Sequence, residues 1–529
     1  MKILVADKIA ASGVELLRSQ QGFEVIEAYD STPEQLKALA HDVDAIIVRS
    51  ASEVTAEIID AAPNLKAVGR AGVGVDNIDV DAATARGVIV MNTPGGNTIA
   101  TCELAFTHLL CSARPIVQAD ASMRRGEWNK KAFSKGAELR GKTLGILGLG
   151  RIGRQVGKRA RAFEMKVIGY DPYVTEDHAK EMDIQKVSLD ELFAQADFIT
   201  VHMPRTDATY HMINKDSLAK MKDGVRIVNC ARGGLIKEDD LIEAVKSGKV
   251  AYAGLDVFET EPVAADHALR SIPNIVLTPH LGASTTEAQE SVGIEVAELI
   301  VSALRDQVVL NAVNMPSVDQ TSLKALRPYL ALGEGLGALL QQVTNGVVSM
   351  EITFWGKIND FDTMPLKRAI QRGYLKNIVS GVNDVNAPRC MNRLGISGTV
   401  TSSTSDADYT ELVRVAAKDA QGNEYAIEGT LIGKNTPRVV HVNGRDIEFG
   451  LEHTLLIIEN NDVPGIVGMI GTVLAKHGLN IANMSLSRNN IGGLALNVCT
   501  LDSLPAQEVL DEIKAHKDIV NVYLVDFSA

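Results

Sequence analysis

Cysteine is scarce in this chain of 529 residues, and its placement argues against two kinds of site. The five cysteines show no C-x-x-C spacing and stand at Cys102, Cys111, Cys230, Cys390 and Cys499. An odd number without paired spacing argues against a disulfide framework and against a structural metal site. We therefore expect reduced thiols in a cytoplasmic protein, and no bound metal.

Positive charge is also in short supply, because 53 Lys and Arg face 66 Asp and Glu, for a net charge of −13. This balance argues against nucleic acid or an anionic membrane as a partner, and it leaves an anionic substrate to be held by a few local arginines. No apolar run reaches the roughly 18 residues of a membrane span. The N-terminal stretch Met1–Lys8 is charged too early for a signal peptide and predicts a first β-strand.

What the chain does contain is an alternation of apolar, strand-like runs with amphipathic helices, which is typical of parallel α/β sheets. The length predicts about three or four domains. We expect two Rossmann-like, doubly wound α/β domains, the first discontinuous over residues 1–97 and 283–314 and the second over residues 98–282. An α+β domain over residues 315–450 and a ferredoxin-like β-α-β-β-α-β domain over residues 451–529 should follow.

The strongest local signal is the G-x-G-x-x-G motif at Gly148–Gly153, which lies between an apolar run and a helical stretch. A second apolar run ends at Asp171. In such a βαβ unit the glycines let a pyrophosphate approach a helix N-terminus, and the acidic residue binds the ribose 2′-hydroxyl. Since Asp171 would repel a 2′-phosphate, the motif predicts NAD as the cofactor.

A bound NAD needs an acid–base group for the substrate oxygen and a cation for a carboxylate. His202 and His280 both follow strands on the C-terminal side of the second domain, where α/β ligands collect, and the residues alone do not choose between them. Arg232 precedes a glycine pair and offers a planar fork that matches a carboxylate. Glu261 could hold an imidazole in one tautomer, but three carboxylates crowd its loop.

These residues together resemble the D-isomer-specific 2-hydroxyacid dehydrogenases, through motifs at Gly148–Gly153, Asp171, Asn229–Gly234, Asp256–Phe258 with Glu261-Pro262, and Pro279–Gly282. The resemblance implies that Arg232 binds the substrate carboxylate and that Glu261 pairs with His280, which exchanges the proton of the 2-oxygen. It makes His202 a neighbour of the cofactor. The cofactor residues that it implies are Gly148, Gly150, Arg151, Ile152, Gly153, Asp171, His202, Cys230, Ala231, Asp256, Gly282 and Ala283.

Two loops of the first domain, at Arg49-Ser50 and Arg70–Asn77, and the C-terminal tail narrow the resemblance to one branch of the family. Its long members oxidise 3-phospho-D-glycerate to 3-phosphooxypyruvate, the first step of L-serine biosynthesis, and carry an intervening domain before a terminal ACT domain. That substrate bears about three negative charges, so Arg232 alone would leave the phosphate unattended. We expect substrate contacts from Arg49, Ser50, Arg70, Gly72, Val73 and Asn97.

The resemblance to ACT domains concerns the tail of the chain and implies regulation. ACT domains bind small amino acids where two copies pair, so serine is the expected inhibitor. The implied contacts are Asn460, Asp462 and Asn480, with Asp462 facing the serine ammonium. The chain departs from the shorter members of the branch by having Asp at the second of these positions. The paired domains imply a homo-oligomer, and a tetramer in particular.

Two other functions remain open at this point. One is a dehydrogenase or reductase of another 2-hydroxy acid, with 2-oxoglutarate, glyoxylate or hydroxypyruvate as the oxo acid. The other is a non-catalytic, NAD-sensing binding protein, since the family also resembles some transcriptional corepressors. The intact Arg232, Glu261 and His280, and the ACT-like tail, argue against the second function.

Overall fold

The computed structural model describes residues 1–305, 309–316, 320–405, 407–433 and 435–527, with the backbone alone at residues 320 and 321. Every expected domain except the one over residues 98–282 therefore includes a few positions outside the described residues.

Five parallel strands form the first sheet, β1 (Lys2–Val5), β2 (Glu24–Glu27), β3 (Ala45–Val48), β4 (Ala67–Arg70) and β5 (Ile89–Asn92). They lie in the order β2-β1-β3-β4-β5. The helices between them are α1 (Ala11–Arg18), α2 (Pro33–Ala40), α3 (Ala56–Asp60) and α4 (Val80–Arg86). Because helices cover both faces of the sheet, its central strands are unbroken apolar runs, and every residue of β3 is buried.

Two helices, α5 (Thr98–Ala113) and α6 (Ile116–Arg124), lead to the second parallel sheet. Its strands are β6 (Thr143–Leu147), β7 (Lys166–Tyr170), β8 (Gln185–Lys186), β9 (Phe198–Val201), β10 (Val225–Asn229), β11 (Val250–Leu255) and β12 (Ile275–Leu277). The intervening helices are α7 (Arg151–Ala162), α8 (Glu176–Glu181), α9 (Leu189–Gln195), α10 (Lys215–Lys220), α11 (Glu238–Ser247) and a 3₁₀ helix (Ala268–Ser271). The order β12-β11-β10-β9-β6-β7-β8 reverses direction beside β6, where a doubly wound sheet opens a ligand crevice.

The chain crosses between the two sheets twice, at residues 93–97 and at residues 278–285. After the second crossing, helix α12 (Thr286–Leu304) packs against α1 and the first sheet. The packing is close, since a Cβ on Gly13 would lie 2.3 Å from the carbonyl oxygen of Gly293, and Val296 and Ile300 lie against Gly69. The first sheet is thus covered by helices that come both before and after the second sheet in the chain.

A mixed sheet follows, with strands β13 (Val347–Trp355), β14 (Ser397–Ser403), β15 (Leu412–Asp419), β16 (Glu424–Ile432), β17 (Thr436–Val442) and β18 (Arg445–Gly450). Its helices are α13 (Gln320–Val343), a 3₁₀ helix (Gly356–Asp360), α14 (Met364–Leu375) and α15 (Ala387–Arg393). The strand order is β14-β13-β15-β16-β17-β18, and only β13 and β14 pair in parallel. The sequence predicts a helix over Tyr329–Val343, and the structure begins this helix earlier, at Gln320, with Pro328 inside it.

The terminal domain has the order β19 (Thr454–Asn461), α16 (Ile466–Lys476), β20 (Ile481–Arg488), β21 (Leu494–Leu501), α17 (Gln507–Lys514) and β22 (Ile519–Asp526). Its antiparallel sheet runs β20-β21-β19-β22. Alternate residues of β19 face opposite sides: Leu456 and Ile458 pack with α16 and α17, whereas Leu455 and Ile457 join the core of the preceding domain. The predicted fold class is confirmed, and its last two domains share one hydrophobic core.

The intervening domain also touches the first sheet's domain. Asn383 Nδ2 donates to the carbonyl of Gly87 at 2.8 Å, and Arg389 Nη1 donates to the carbonyl of Asp81 at 3.0 Å. Both acceptors belong to the end or the first turn of α4. Over the described residues, no helix is both long and apolar enough to cross a membrane.

Candidate active site

The carboxyl ends of two parallel sheets meet in the cleft between the first two domains. On the side of the second domain, the predicted cofactor residues follow β6, β7, β9, β10, β11 and β12. On the other side, Arg49 follows β3, Arg70 ends β4, and the loop from Gly72 to Asn77 comes next. The two sides touch, because a Cβ on Gly74 would lie 2.1 Å from Nη2 of Arg232. One cleft therefore gathers both groups of predicted residues.

The turn between β6 and α7 leaves bare backbone where a nucleotide phosphate would approach. Gly148 has a φ of +95°, and a Cβ there would lie 2.5 Å from the carbonyl oxygen of His202. A Cβ on Gly153 would lie 2.0 Å from the carbonyl oxygen of Gly148, so the helix packs tightly on the turn. At Gly150 a Cβ would meet no heavy atom within 4 Å, which leaves the N-terminus of α7 open. Arg151 and Ile152 form the first turn of that helix.

Asp171 closes this cradle from the end of β7. Its Oδ2 accepts a hydrogen bond from the backbone N–H of Leu149 at 2.9 Å, and its Oδ1 accepts one from Tyr173 at 2.9 Å. The carboxylate thus braces the glycine turn itself. The residues fit NAD, because an acidic group stands beside the open helix N-terminus where a ribose would lie.

His280 and Glu261 form a direct pair, with 2.7 Å between His280 Nδ1 and Glu261 Oε2. Burial alone would raise the pKa of Glu261, but hydrogen bonds from His280 and from the N–H of Phe258 outweigh it and hold that pKa below its ordinary value. Glu261 is therefore an anionic acceptor at neutral pH, which fixes the proton of His280 on Nδ1 and leaves Nε2 as a base. Of the two candidate histidines, His280 has the carboxylate partner.

His202 has the opposite environment. Its Nε2 lies 2.9 Å from Oγ1 of Thr200, its Nδ1 is buried without a partner, and burial lowers its pKa to about 4. A neutral, enclosed imidazole suits a neighbour of the cofactor better than a group that exchanges protons. Cys230 is also buried, and burial raises the pKa of its thiol, so we expect it to contribute apolar surface together with Ala231.

Asp256 has no accessible surface, so it acts through the loop that it holds. Its Oδ1 accepts from the N–H of Leu281 at 2.7 Å, and its Oδ2 accepts from the N–H of Gly282 at 2.9 Å. His280 stands between these contacts and β12 with a φ of +56°. Such a conformation persists in a non-glycine residue only when its surroundings fix it. The part that Asp256 plays in cofactor binding stays a prediction, and the structure shows its carboxylate holding the loop that follows His280.

Three arginines, Arg49, Arg70 and Arg232, lie close enough in the cleft to act on one another. Arg70 is largely buried, its Nε has no partner, and its pKa is lowered to about 10 by burial first and then by Arg232 and Arg49. Arg232 Nε lies 3.4 Å from Oδ2 of Asp76, an exposed carboxylate of the opposite domain. Like charges destabilise one another, so a cluster of this kind is built for an anion.

Two residues shape the loop of Arg49: Asp7, which the sequence analysis missed, and Asn77, to which it assigned no role of its own. Asp7 Oδ2 accepts from the N–H groups of Arg49 at 2.6 Å and of Ser52 at 3.2 Å, and Asn77 Nδ2 donates to the carbonyl of Arg49 at 2.9 Å. Asp7 follows the first strand, and an acidic residue at the carboxyl end of a parallel strand is the signal that could have found it. Asn97, a predicted substrate contact, precedes α5 without capping it, and its Oδ1 is buried without a partner.

The expected effector residues lie at two ends of the terminal sheet, with Asn460 and Asp462 at the end of β19 and Asn480 beside the start of that strand. Each of the three is already hydrogen-bonded. Asp462 Oδ2 lies 2.9 Å from Arg488 Nη1 and accepts from the N–H of Gly492 at 3.1 Å. Asn460 is buried and accepts from Asn497 Nδ2 at 2.7 Å. Asn480 Nδ2 donates to Asp502 Oδ2 at 2.7 Å. A ligand that binds Asp462 would have to compete with Arg488 for its carboxylate.

Comparisons with known families divide the chain in the same order. Residues 106–282 match the D-isomer specific 2-hydroxyacid dehydrogenase, NAD binding domain. Residues 325–443 match the D-3-phosphoglycerate dehydrogenase intervening domain, and residues 454–518 match the ACT domain. NAD is thus confirmed as the cofactor.

Several relatives cover 99% of the chain, among them the following two. The D-3-phosphoglycerate dehydrogenase of Methanocaldococcus jannaschii is 43% identical over 99% of this chain and 100% of that protein. The D-3-phosphoglycerate dehydrogenase of Bacillus subtilis is 38% identical over 99% of each chain. The chain belongs to the D-3-phosphoglycerate dehydrogenase family. This membership makes it an NAD-dependent dehydrogenase and sets aside the NAD-sensing alternative.

Solved structures of the wider dehydrogenase group share the fold of about three fifths of this family member. A glyoxylate reductase from Paecilomyes thermophila has 36% identity and a TM-score of 0.55, and it covers 59% of this chain and 98% of its own. The NAD-dependent formate dehydrogenase from Staphylococcus aureus, in complex with NAD, has 32% identity and a TM-score of 0.53, and the match covers 58% of this chain and 96% of that one. Among the residues described, no group of three His, Cys, Asp or Glu side chains could hold a metal ion.

Proposed function

We propose that this chain oxidises 3-phospho-D-glycerate at C2 with NAD, forming 3-phosphooxypyruvate for serine biosynthesis, and that His280, Glu261 and Arg232 carry the reaction. The observation that supports this assignment most directly is the His280–Glu261 hydrogen bond of 2.7 Å beside the arginines of the cleft. It supplies a base, a charge to stabilise that base when it is protonated, and cations for an anionic substrate.

The proton of the C2 hydroxyl goes to Nε2 of His280. Nδ1 of the same ring donates to Glu261 throughout, so the ring becomes positively charged while its partner is negative. Because the carboxylate of Glu261 is in direct contact with the ring, this pairing stabilises the charge that develops on the imidazole.

Cofactor binding falls to the turn at Gly148–Gly153, with Arg151 and Ile152 in the first turn of α7, and to Asp171. His202, Cys230, Ala231, Gly282 and Ala283 would line the nicotinamide side, supported by Asp256. NAD, when bound, accepts the hydride that leaves C2. The chain's own part is to hold the two reactants in register across the cleft and to exclude water.

Substrate binding uses the arginine cluster. Arg232 would take the carboxylate with its planar fork, and the backbone of Gly72 and Val73 would take the oxygens between the two ends. Arg49 and Ser50 would meet the phosphate, with Arg70 between the two anionic ends and Asn97 at the cleft wall. The low pKa of Arg70 supports this arrangement, since an anion would relieve the repulsion among the three cations.

Regulation and assembly belong to the same proposal. Serine would bind at Asn460, Asp462 and Asn480 where two ACT domains pair in a cytoplasmic homotetramer. The five cysteines are all free thiols, in keeping with a reducing compartment. Coupling to the active site would use the hydrophobic core that joins the terminal and intervening domains.

Initial-rate kinetics on a panel of acids tests the proposed function. The wild type should form NADH from NAD and 3-phosphoglycerate at alkaline pH, with a higher kcat/KM than for D-glycerate or 2-hydroxyglutarate. In the reverse direction 3-phosphooxypyruvate should be preferred over glyoxylate, hydroxypyruvate and 2-oxoglutarate. Serine should lower the rate. A higher kcat/KM for a non-phosphorylated acid would overturn the substrate assignment.

A further inference from the structure

A buried chain of hydrogen bonds runs behind the loop of His280, and it starts on helix α5. His108 is 2% exposed, and its Nε2 lies 2.9 Å from Oγ1 of Thr278. The Thr278 hydroxyl in turn donates to Oδ1 of Asp256 at 2.6 Å. Asp256 holds the N–H groups of Leu281 and Gly282, so the chain ends on the residues directly after His280.

The protons in this chain can be assigned from its geometry. The single proton of the Thr278 hydroxyl goes to Asp256, so Oγ1 can only accept from His108, and Nε2 of His108 must carry a proton. Nδ1 of His108 has no partner and stands against the backbone of Gly254, where a Cβ would lie 2.7 Å from it. Burial lowers the pKa of His108, so the ring is neutral and present in one tautomer.

Helix α5 makes a second hydrogen bond to the same loop. Thr101, two turns before His108, donates from Oγ1 to the carbonyl of Gly282 at 2.9 Å. The loop is thus held at Thr278 and at Gly282, on both sides of His280, by one helix. His280 lies between these points at a φ of +56°, a conformation that costs energy unless the flanking backbone is fixed.

We propose that His108 and Thr278 are positioning residues for His280. They neither touch the substrate nor exchange protons with it. They keep the carboxylate of Asp256 hydrogen-bonded, and Asp256 in turn fixes the conformation of the loop that directs Nε2 of His280 into the cleft. The inference rests on the proposed role of His280 and adds the residues through which α5 acts on it.

Four variants and one control test this assignment in the full-length enzyme. Thr278→Val and His108→Leu each break the chain, whereas Thr278→Ser and His108→Gln keep a hydroxyl or an N–H donor at the same place. Ser112→Ala is the matched control, because Ser112 is a buried hydroxyl one turn along α5 that bonds only the carbonyl of Leu109, at 2.7 Å. Each variant is measured for kcat, KM for both substrates, Kd for NAD by calorimetry, Tm, and the isotope effect with 2-deuterated substrate.

We expect Thr278→Val and His108→Leu to lower kcat by about tenfold, the consequence of one misplaced hydrogen-bonded group. KM for NAD and its Kd should stay within about twofold, and the isotope effect on kcat should rise as the chemical step slows. The Ser and Gln variants should recover most of the rate, and Ser112→Ala should match the wild type. If His108→Leu fails to fold, the Thr278 pair decides alone.

Equal rates for Thr278→Val and the wild type, or equal losses in Thr278→Val and Thr278→Ser, would overturn the inference. These outcomes are distinct from failure of the proposed function. A wild type that forms no NADH from 3-phosphoglycerate, or a His280→Gln variant with wild-type kcat, would remove the role of His280 itself, whatever the Thr278 variants do.

Discussion

Asp76 and Arg232 face each other across the cleft from different domains, with 3.4 Å between Oδ2 of the aspartate and Nε of the arginine. Arg232 is the group proposed to bind the substrate carboxylate, so Asp76 is a resident carboxylate that competes for it. The Asp76 side chain is 61% exposed, which makes the ion pair weak and easily exchanged.

Removing this competitor should tighten substrate binding. Asp76→Asn keeps the shape of the side chain but loses its charge, so KM for 3-phosphoglycerate should fall by about two- to fivefold at low salt. The effect should shrink as ionic strength rises. Asp177→Asn makes the same change of net charge on an exposed helix of the second domain and should leave KM unaltered. A KM that rises in Asp76→Asn would mean that Asp76 supports the loop instead.

Arg49 should distinguish phosphorylated from plain substrates. In Arg49→Gln, KM for 3-phosphoglycerate should rise by at least about tenfold, because a charge-assisted hydrogen bond to the phosphate is lost. The kcat/KM for D-glycerate should hardly change. Arg18→Gln, which removes a surface arginine paired with Glu27 in the same domain, is the control. An unchanged KM for 3-phosphoglycerate would end the assignment of Arg49 to the phosphate.

Asp171 should set the choice of cofactor. Asp171→Ala removes the acceptor for the ribose hydroxyls and the repulsion of a 2′-phosphate, so the ratio of kcat/KM for NAD to that for NADP should fall by about tenfold or more. Part of the loss will come from the freed N–H of Leu149, which lowers activity with both cofactors equally. Asp190→Ala, on the surface of the same domain, should keep the wild-type ratio. The same ratio in Asp171→Ala would contradict this role.

The low pKa of Glu261 has a consequence for stability against pH. A carboxyl whose pKa is lowered on folding stabilises the protein above its ordinary pKa of 4.5, and this stabilisation is lost as pH falls through the lowered value. The Tm of the wild type should therefore exceed that of Glu261→Gln at pH 7, and the difference should shrink as the pH falls below 4.5. At pH 7 the variant should also lose kcat by about tenfold or more. A Tm difference that grows on acidification would contradict the assigned charge.

Arg488 should weaken serine binding by occupying Asp462. The two side chains are 2.9 Å apart and the arginine is half-exposed, so Arg488→Met should lower the calorimetric Kd for serine by about two- to fivefold. Lys476→Met removes another half-exposed cation, paired with Glu512, from the same domain and should leave the Kd unchanged. Weaker serine binding in Arg488→Met would show that the arginine contacts the ligand.

The parallel sheets and the nucleotide turn could be predicted because their signals are local. Gly148–Gly153 and the apolar runs beside it lie within about 30 residues, the span of one βαβ unit. The terminal β-α-β-β-α-β order was accessible for the same reason. The intervening sheet could not be predicted, since the parallel pairing of β13 with β14 joins strands separated by a 3₁₀ helix and two α-helices, and no spacing in the sequence specifies it.

The residues of the site likewise differ in whether their signals are local in the sequence. Arg232, Glu261 and His280 follow strands and carry motifs, and the structure supplies the contacts that separate His280 from His202. The partners that hold the loops come from distant segments, with Asp7 beneath Arg49 and His108 behind Thr278. Each is an ordinary residue in its own stretch of sequence and acquires its role only when the sheets and helices are packed.

The two covalent connections between the first two domains limit how those domains can move relative to each other. Two connecting segments, residues 93–97 and 278–285, join the domains. Rotation about the line through both segments is the domain motion that stretches neither of them. His280 lies within the second of these segments. Because α5 holds this segment at Thr278 and at Gly282, the imidazole stays with the second domain when the first domain rotates. Opening of the cleft therefore separates the base from Arg49 and Arg70 without changing its orientation toward the cofactor.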